Sequence, residues 1–525
     1  MPSNGLLEVL DGGNVLVVDI AVAPYYGAIG HVKVGGPEAL LEVAGSMLLS
    51  TNQTGEMSGG DATLEVNEGG SVHIAGELNA GSSGLLIMGG GSITAGSVEL
   101  RSGLVNGHGT IESMILGHPG TSVVAEGGVL ALGDANQFGS VQIQGTFNVS
   151  AGATLALQDA SYANLGYLTT LNGGTLAASN GVHLGGGDVI IGFGQVTTSL
   201  SSGSGSTIHA TDDFALGDAT AFDGVNLEGR LQTGNHTVTL HDRNVAVLGS
   251  LTQIGDGTGP GTLAAPNGLL LSNGRNVVGH GLVDADIITE GYIHGEGTLP
   301  TDALQLAGYV TGAGAFGGNI VFSGTYDPGN STDWLDLENV VFSDSAELVI
   351  EVGGWLAGTD YDHLELTGDL AVDGALQLVL TAGFTPTTGS AFDIVTYISH
   401  TGVFDEVLGR HITGRRHFDL DYGTTALTLL VDEAVGSDFN DDGIANLIDI
   451  NPFVLAITDL GAFDAAYPDV VALAVDPNSD GIINLLDINP FVAAIVGGAA
   501  PTTIPEPATL ALLAIGAAGL LRRRR

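Results

Sequence analysis

The chain contains no cysteine and only one lysine, Lys33, in 525 residues. Disulfides are therefore excluded, and an exported protein of this size needs none. Basic residues are scarce altogether: twelve Lys and Arg, four of them in the terminal run 522–525, against 58 Asp and Glu. The formal net charge of −46 excludes nucleic acid as a partner, because phosphate neutralisation needs basic patches. Tryptophan occurs twice, at Trp334 and Trp355, and proline only 16 times. Glycine, by contrast, occurs 84 times in a chain that is 44% hydrophobic. That is too apolar for disorder and too glycine-rich for helices. An acidic chain of this kind suits a calcium-rich, extracellular setting.

Near the C-terminus one loop occurs twice, as DFNDDGIANLID (438–449) and DPNSDGIINLLD (476–487). Each copy has Asp, Asn and Asp at positions 1, 3 and 5, Gly at 6, Asn at 9 and Asp at 12. This resembles the EF-hand-type calcium loop, with Asp replacing the usual final Glu. Calcium takes six to eight hard oxygens, and a short loop wraps it by turning alternate side chains inward. The expected ligands of the first loop are Asp438, Asn440, Asp442, the Ile444 carbonyl, Asn446 and Asp449, with Gly443 at the turn. Those of the second are Asp476, Asn478, Asp480, the Ile482 carbonyl, Asn484 and Asp487, with Gly481 at the turn. Asx-rich turns also form without metal, but two copies 38 residues apart that match at every ligand position argue for calcium. Twelve acids lie between Asp432 and Asp487, and no Lys or Arg occurs between Arg416 and Arg522. Without a cation these carboxylates repel one another.

Both loops continue into DINPFV, at 449–454 and 487–492. Pro452 and Pro490 suit the first turn of a helix. The pattern predicts a short helix after each loop, with Phe453 and Phe491 packed between the halves. Residues 434–500 thus resemble the type I dockerin family. That resemblance implies two bound calcium ions and a cohesin-like protein or envelope scaffold as partner. It also implies that the residues after loop position 9 read the partner: Leu447 and Ile448, then Leu485 and Leu486. Such apolar pairs are either an exposed binding face or helix core.

The chain ends in Pro505, Glu506 and Pro507, an apolar run at 508–521 and four arginines. Fourteen helical residues span about 21 Å, short of the ~30 Å hydrocarbon core. The basic end suits a cytoplasmic, positive-inside terminus. Residues 501–525 resemble the PEP-CTERM sorting signal. The resemblance implies export, transient membrane insertion of the tail, and processing by an exosortase, in bacteria that make exopolysaccharide. The first residues show neither a basic n-region nor a clean apolar core. Because the tail requires export, the expectation is a start upstream of Met1, or a fragment.

Residues 1–345 read as short strands cut by glycines. Leu64, Val66, Gly70 and Val72 precede Leu85, Ile87, Gly91 and Ile93 by 21 residues. That period fits one coil of a parallel β-solenoid, which buries a column of stacked apolar side chains. Antiparallel sandwiches are the alternative, but Asn-Gly hairpin signals at suitable spacing are few. Residues 346–433 show longer alternating strands and are expected to be a β-rich cap or the last coils. SSGSGS (201–206) reads as a flexible loop. The recurring G-x-G-T-[IV] and DPGNS (327–331) resemble autotransporter-type passenger repeats. The expected fold is mainly β: a parallel β-solenoid with a β-rich cap, a small α-helical calcium module and a short C-terminal membrane helix.

Parallel β-solenoids also host polysaccharide-degrading enzymes. Gly279-His280-Gly281, followed by Asp284 and Asp286, superficially resembles the polygalacturonases. Their Arg-Ile-Lys is impossible here, since the only lysine is Lys33. A lyase would need a basic residue, and Arg275 alone is near. Gly107-His108-Gly109 and Gly295-Glu296-Gly297 share the G-x-G form with a variable middle residue, which marks turns entering strands. The expectation is a non-enzymatic envelope or matrix protein. The alternatives are a β-helix enzyme delivered by its calcium module and a glycan-binding adhesin.

Overall fold

The computed structural model describes residues 4–51, 59–299, 302–329, 331–381, 383–440, 442, 444–467 and 470–497. It is mainly β. Two compact units divide the chain. One comprises Met1–Val349, Asp362–Ala375 and Tyr397–Asp405; the other comprises Ile350–Tyr361, Leu376–Thr396 and Glu406–Arg525.

The first unit is built from parallel ladders in which each strand pairs with its counterpart one coil on. Strand Asn4–Leu10 pairs with Ile29–Gly35, then come Asp61–Asn67, Gly84–Leu100 and Leu104–Glu112, all parallel. A second stack runs Asn14–Val17, Ala39–Val43, Gly70–Ala80. A third runs Ile20–Val22, Met47–Leu49 and the end of Gly70–Ala80. Three stacked faces per coil are consistent with a parallel β-solenoid.

The inward positions form continuous columns. Val32, Leu64, Leu86, Val105, Val123 and Phe147 are register partners on successive coils, and each is at most 3% exposed. Burying each such side chain contributes about 1.5–3 kcal/mol. Thr169 and Thr252 stand in the same column, fully buried, and their hydroxyls have no hydrogen-bond partner.

Three local expectations are corrected. The 21-residue spacing holds for Val72 and Ile93, but Leu64 pairs with Leu86, not Leu85. Seven residues separate Leu64 from Val72 but six separate Leu86 from Ile93, so the bend between the two faces, where the register shifts at Asn67, is one residue shorter in the later coil. A one-residue slip exchanges the inward and outward sets, and accordingly Leu86 is buried while Leu85 is half-buried. Next, SSGSGS is only partly a loop, with a turn confined to residues 203–206. Leu200–Ser202 is a strand, and Ser202 and Ser206 are buried against neighbouring coils. Finally, Gly107-His108-Gly109 is no turn before a strand. It lies inside strand Leu104–Glu112 at a shift of register, with φ of +116° and +138° at the two glycines. A Cβ on Gly107 would strike the Met88 carbonyl oxygen. These glycines let one strand bend from face to face.

In the second unit, Ala426–Glu433 lies antiparallel between Ala391–Thr396 and Arg416–Tyr422. Phe392 and Phe418 are buried there, and Trp355 stacks on Phe392 at 5.5 Å. The other tryptophan, Trp334, stands over His363 in the first unit at 4.2 Å. Both indoles thus pack on neighbouring rings. Three α-helices follow in the second unit: α1 (Ile450–Thr458), α2 (Leu460–Ala466) and α3 (Ile488–Gly497). Among the described residues, no helix is long and apolar enough to cross a membrane. The expected membrane segment at 508–521 lies outside the described residues.

Candidate calcium-binding loops

The two loops lead into matching helix starts. In each copy the Asn at position 9 accepts from the backbone N–H two residues on: Asn446 from Ile448 at 2.8 Å, Asn484 from Leu486 at 2.7 Å. The Asp at position 12 accepts from that same Asn backbone: Asp449 from Asn446 and Asp487 from Asn484, each at 2.7 Å. These reciprocal bonds form a capping box. Asn446, Asn484, Asp449 and Asp487 therefore start the helices as well as facing the loops. The sequence reading overlooked this second role, although Asn-x-x-Asp before an apolar run signals it.

Pro452 and Pro490 fall in the first turns of α1 and α3, where a missing N–H is harmless. Their neighbours Phe453 and Phe491 stack at 4.0 Å within a core that includes Phe439 and Phe463. This packing turns the two loops into one unit.

The carboxylates converge inward. Asp438, Asp449, Asp476 and Asp487 are all at most 3% exposed. Among the described residues no salt bridge reaches Asp449, Asp476 or Asp487, and no Lys or Arg occurs in sequence between Arg416 and Arg522. Burial pushes the Asp449 carboxyl up, and Asp438 adds to it. Burial likewise raises Asp487, reinforced by Asp476 and Asp480. A buried carboxylate without a cation is costly.

The two closing aspartates differ in one respect. Asp449 Oδ1 accepts from the Phe439 N–H at 2.8 Å and the Asn440 N–H at 3.0 Å. The position matching Phe439 is Pro477, which has no N–H. Asp487 Oδ1 is buried with no hydrogen-bond partner. An orphaned anionic oxygen within a ring of oxygen donors fits a hard divalent cation.

The remaining positions are close at hand. Asn440 donates to Asp442 at 3.1 Å and Asn478 to Asp480 at 3.0 Å. Asn446 donates to the Ile444 carbonyl at 2.9 Å and Asn484 to the Ile482 carbonyl at 3.1 Å. Positions 3 and 5, and 7 and 9, are thus adjacent in both loops. Gly481 has a φ of +85°, as its turn requires; Gly443 lies outside the described residues. Ile444, Leu447 and Ile448 are 64–71% exposed, and Ile482, Leu485 and Leu486 are 62–72% exposed. The apolar pairs are surface, not helix core.

Elsewhere, Asp284 and Asp286 line a shallow recess with Ala264, Ala265, Pro266 and Gly308. Asp286 accepts the Tyr309 N–H at 2.8 Å. His280 is engaged with other groups, 2.9 Å from Asp302 Oδ1 and 3.0 Å from the Asp256 carbonyl. Asp212, Asp213 and His236 bring ligand atoms within 4.8 Å of one another, but both carboxylates are exposed.

The family description for the PEP-CTERM protein-sorting motif matches residues 503–525, which include Pro505, Glu506 and Pro507 and lie outside the described residues. No curated protein matches the chain. The chain carries a PEP-CTERM sorting motif at its C-terminus, which implies an exported, cell-envelope-associated protein processed by an exosortase.

Proposed function

We propose that the protein is a non-enzymatic structural and interaction component of the cell envelope or extracellular matrix. Its paired loops bind two calcium ions and hold a dockerin-like docking module. The parallel sheet supplies length and a repetitive surface among exopolysaccharide. The single observation that supports this most is the buried Asp487 Oδ1, which has no hydrogen-bond partner and lies in a loop of oxygen-bearing residues that contains no Lys or Arg.

Calcium bound there would supply the charge that the carboxylates lack. Asp438, Asn440, Asp442, the Ile444 carbonyl, Asn446 and Asp449 would hold the first ion. Asp476, Asn478, Asp480, the Ile482 carbonyl, Asn484 and Asp487 would hold the second. The exposed Leu447/Ile448 and Leu485/Leu486 pairs are the surface that a cohesin-like module or envelope scaffold would cover. Exposed apolar patches of this kind, duplicated in one small module, suit protein docking.

Two measurements test the reading. Calorimetry of the whole chain should count two calcium ions. An envelope component should be retained in calcium, released by EDTA and lost on Leu447→Asp with Leu485→Asp. Binding of no calcium would overturn it. So would cleavage of a uronate polymer that Asp284→Asn abolishes, since the β-helix enzyme reading would then stand.

A further inference from the structure

Along one corner of the first unit, successive coils turn through residues 118–121, 144–145, 165–167 and 185–188. The middle two turns are shorter than those beside them, so the corner is recessed there. Gly166 lines it and Gly145 lies in the turn next to it: a Cβ on Gly145 would strike the Thr121 carbonyl, and one on Gly166 the Gly145 carbonyl. Backbone thus stacks directly on backbone, and a groove of about 460 Å³ opens above it. That volume lies in the ~300–1,000 Å³ range of small-ligand sites.

We propose that this groove binds a neutral, hydroxyl-rich oligosaccharide. Gln142, Gln144 and Asn164 line it, and each carboxamide offers a donor and an acceptor side by side, matching a pair of vicinal hydroxyls. Gln142 and Asn164 are register partners on adjacent coils, about 4.8 Å apart. Gln142 is held in place by its own bond to the Gly139 carbonyl at 2.9 Å. Tyr167, 53% exposed, presents a flat apolar face with a polar tip, on which a sugar ring can stack. From the Pro119 turn to the Asp188 turn the groove spans three coil steps, roughly 14 Å, room for a short oligosaccharide.

Charge selects among glycans. Among the described residues that line the groove, Asp188 is the one acidic side chain, and no Lys or Arg stands with it. A uronate or sulfated sugar would set its anion against Asp188 in a chain of net charge −46. A neutral sugar meets no such opposition.

The inference deepens the interaction-protein reading without using the calcium loops. Its test is calorimetric titration of the full chain, with calcium and again with EDTA. The probes are cellohexaose, a β-1,3-glucohexaose, mannohexaose and hexagalacturonate. At least one neutral probe should bind, equally in EDTA. Tyr167→Ala should weaken it at least about tenfold and Tyr167→Phe should leave it, because stacking is kept. Asn164→Ala should weaken it several-fold. These side chains are exposed, so thermal melting should not change. The inference is overturned if no neutral probe binds at about 10 mM, if hexagalacturonate binds best, or if Tyr167→Ala binds as the parent does. A failure of the calcium reading would appear instead as absent calcium binding with this titration unaffected.

Discussion

Phe453 and Phe491 stack with their ring centroids 4.0 Å apart and their planes 22° apart. They are the same residue of the two DINPFV copies, so the repeat is joined through its own duplicated side chain. Phe439, from the first loop, meets both rings at 5.0 and 5.9 Å.

Truncating this contact should unfold the loop-and-helix module. Phe453→Ala or Phe491→Ala should cost about 3–5 kcal/mol. Calcium-induced helicity should fall in far-ultraviolet circular dichroism, while the melting of the parallel sheet stays put. Equal loss of both transitions would contradict this packing account.

Calcium should stabilise the module by mass action, about 2.7 kcal/mol per site at a hundredfold excess over Kd. Asp442→Ala with Asp480→Ala should abolish most of that gain. Asp487→Asn alone should leave one calcium in calorimetry, bound by the first loop. Two ions retained by the double variant would show that the ligands are misassigned.

The buried hydroxyls of Thr169 and Thr252 have no partner in an otherwise apolar column. Thr169→Val and Thr252→Val should each stabilise the parallel sheet by about 1 kcal/mol, because an unsatisfied buried polar group is removed without loss of shape. Denaturant midpoints would show it. A lower midpoint would mean that these hydroxyls are satisfied after all.

Acid should act through Glu99. Its hydrogen bond from Arg101 leads in holding the carboxyl down to about 2, helped by Glu77 and His118. Arg101 Nη2 lies 2.8 Å from Glu99 Oε2, and His118 Nε2 lies 2.8 Å from Oε1. A depressed carboxyl stabilises the fold above its unfolded pKa, about 4.3, and that contribution fades as pH falls toward 2. Glu77 works the other way: burial first, then Glu99, raises it, so its ionisation opposes folding as pH rises. Arg101→Met should therefore shift acid unfolding to higher pH. An unchanged acid midpoint would exclude the pair as a determinant.

The mainly β character, the parallel coils and both loop-to-helix passages were legible in the residues, because each depends on local chemistry. Glycine spacing sets where strands bend, and proline suits a first helical turn; the Asn-x-x-Asp helix start was equally local but overlooked. The stacking of Phe453 on Phe491 was legible for the same reason, since a repeat of loop and helix leaves those two rings facing each other. The register at Leu64 was not: period counting cannot see that the bend between faces is one residue shorter in the later coil, which sets Leu86 rather than Leu85 opposite Leu64.

Exposure was likewise decided only in three dimensions. In a string of letters Leu447 and Leu485 read equally as exposed face or helix core, and the four-phenylalanine core leaves them outside. The groove at Tyr167 has no motif at all. It arises because two short turns lie between two longer ones on neighbouring coils, and only stacking brings those turns together. The sequence by itself determined the repeating unit, the candidate ligand positions and the sorting motif, all written in contiguous residues. The tertiary structure decided which faces pair, which side chains remain in water and where a recess opens, because these depend on residues a whole coil apart.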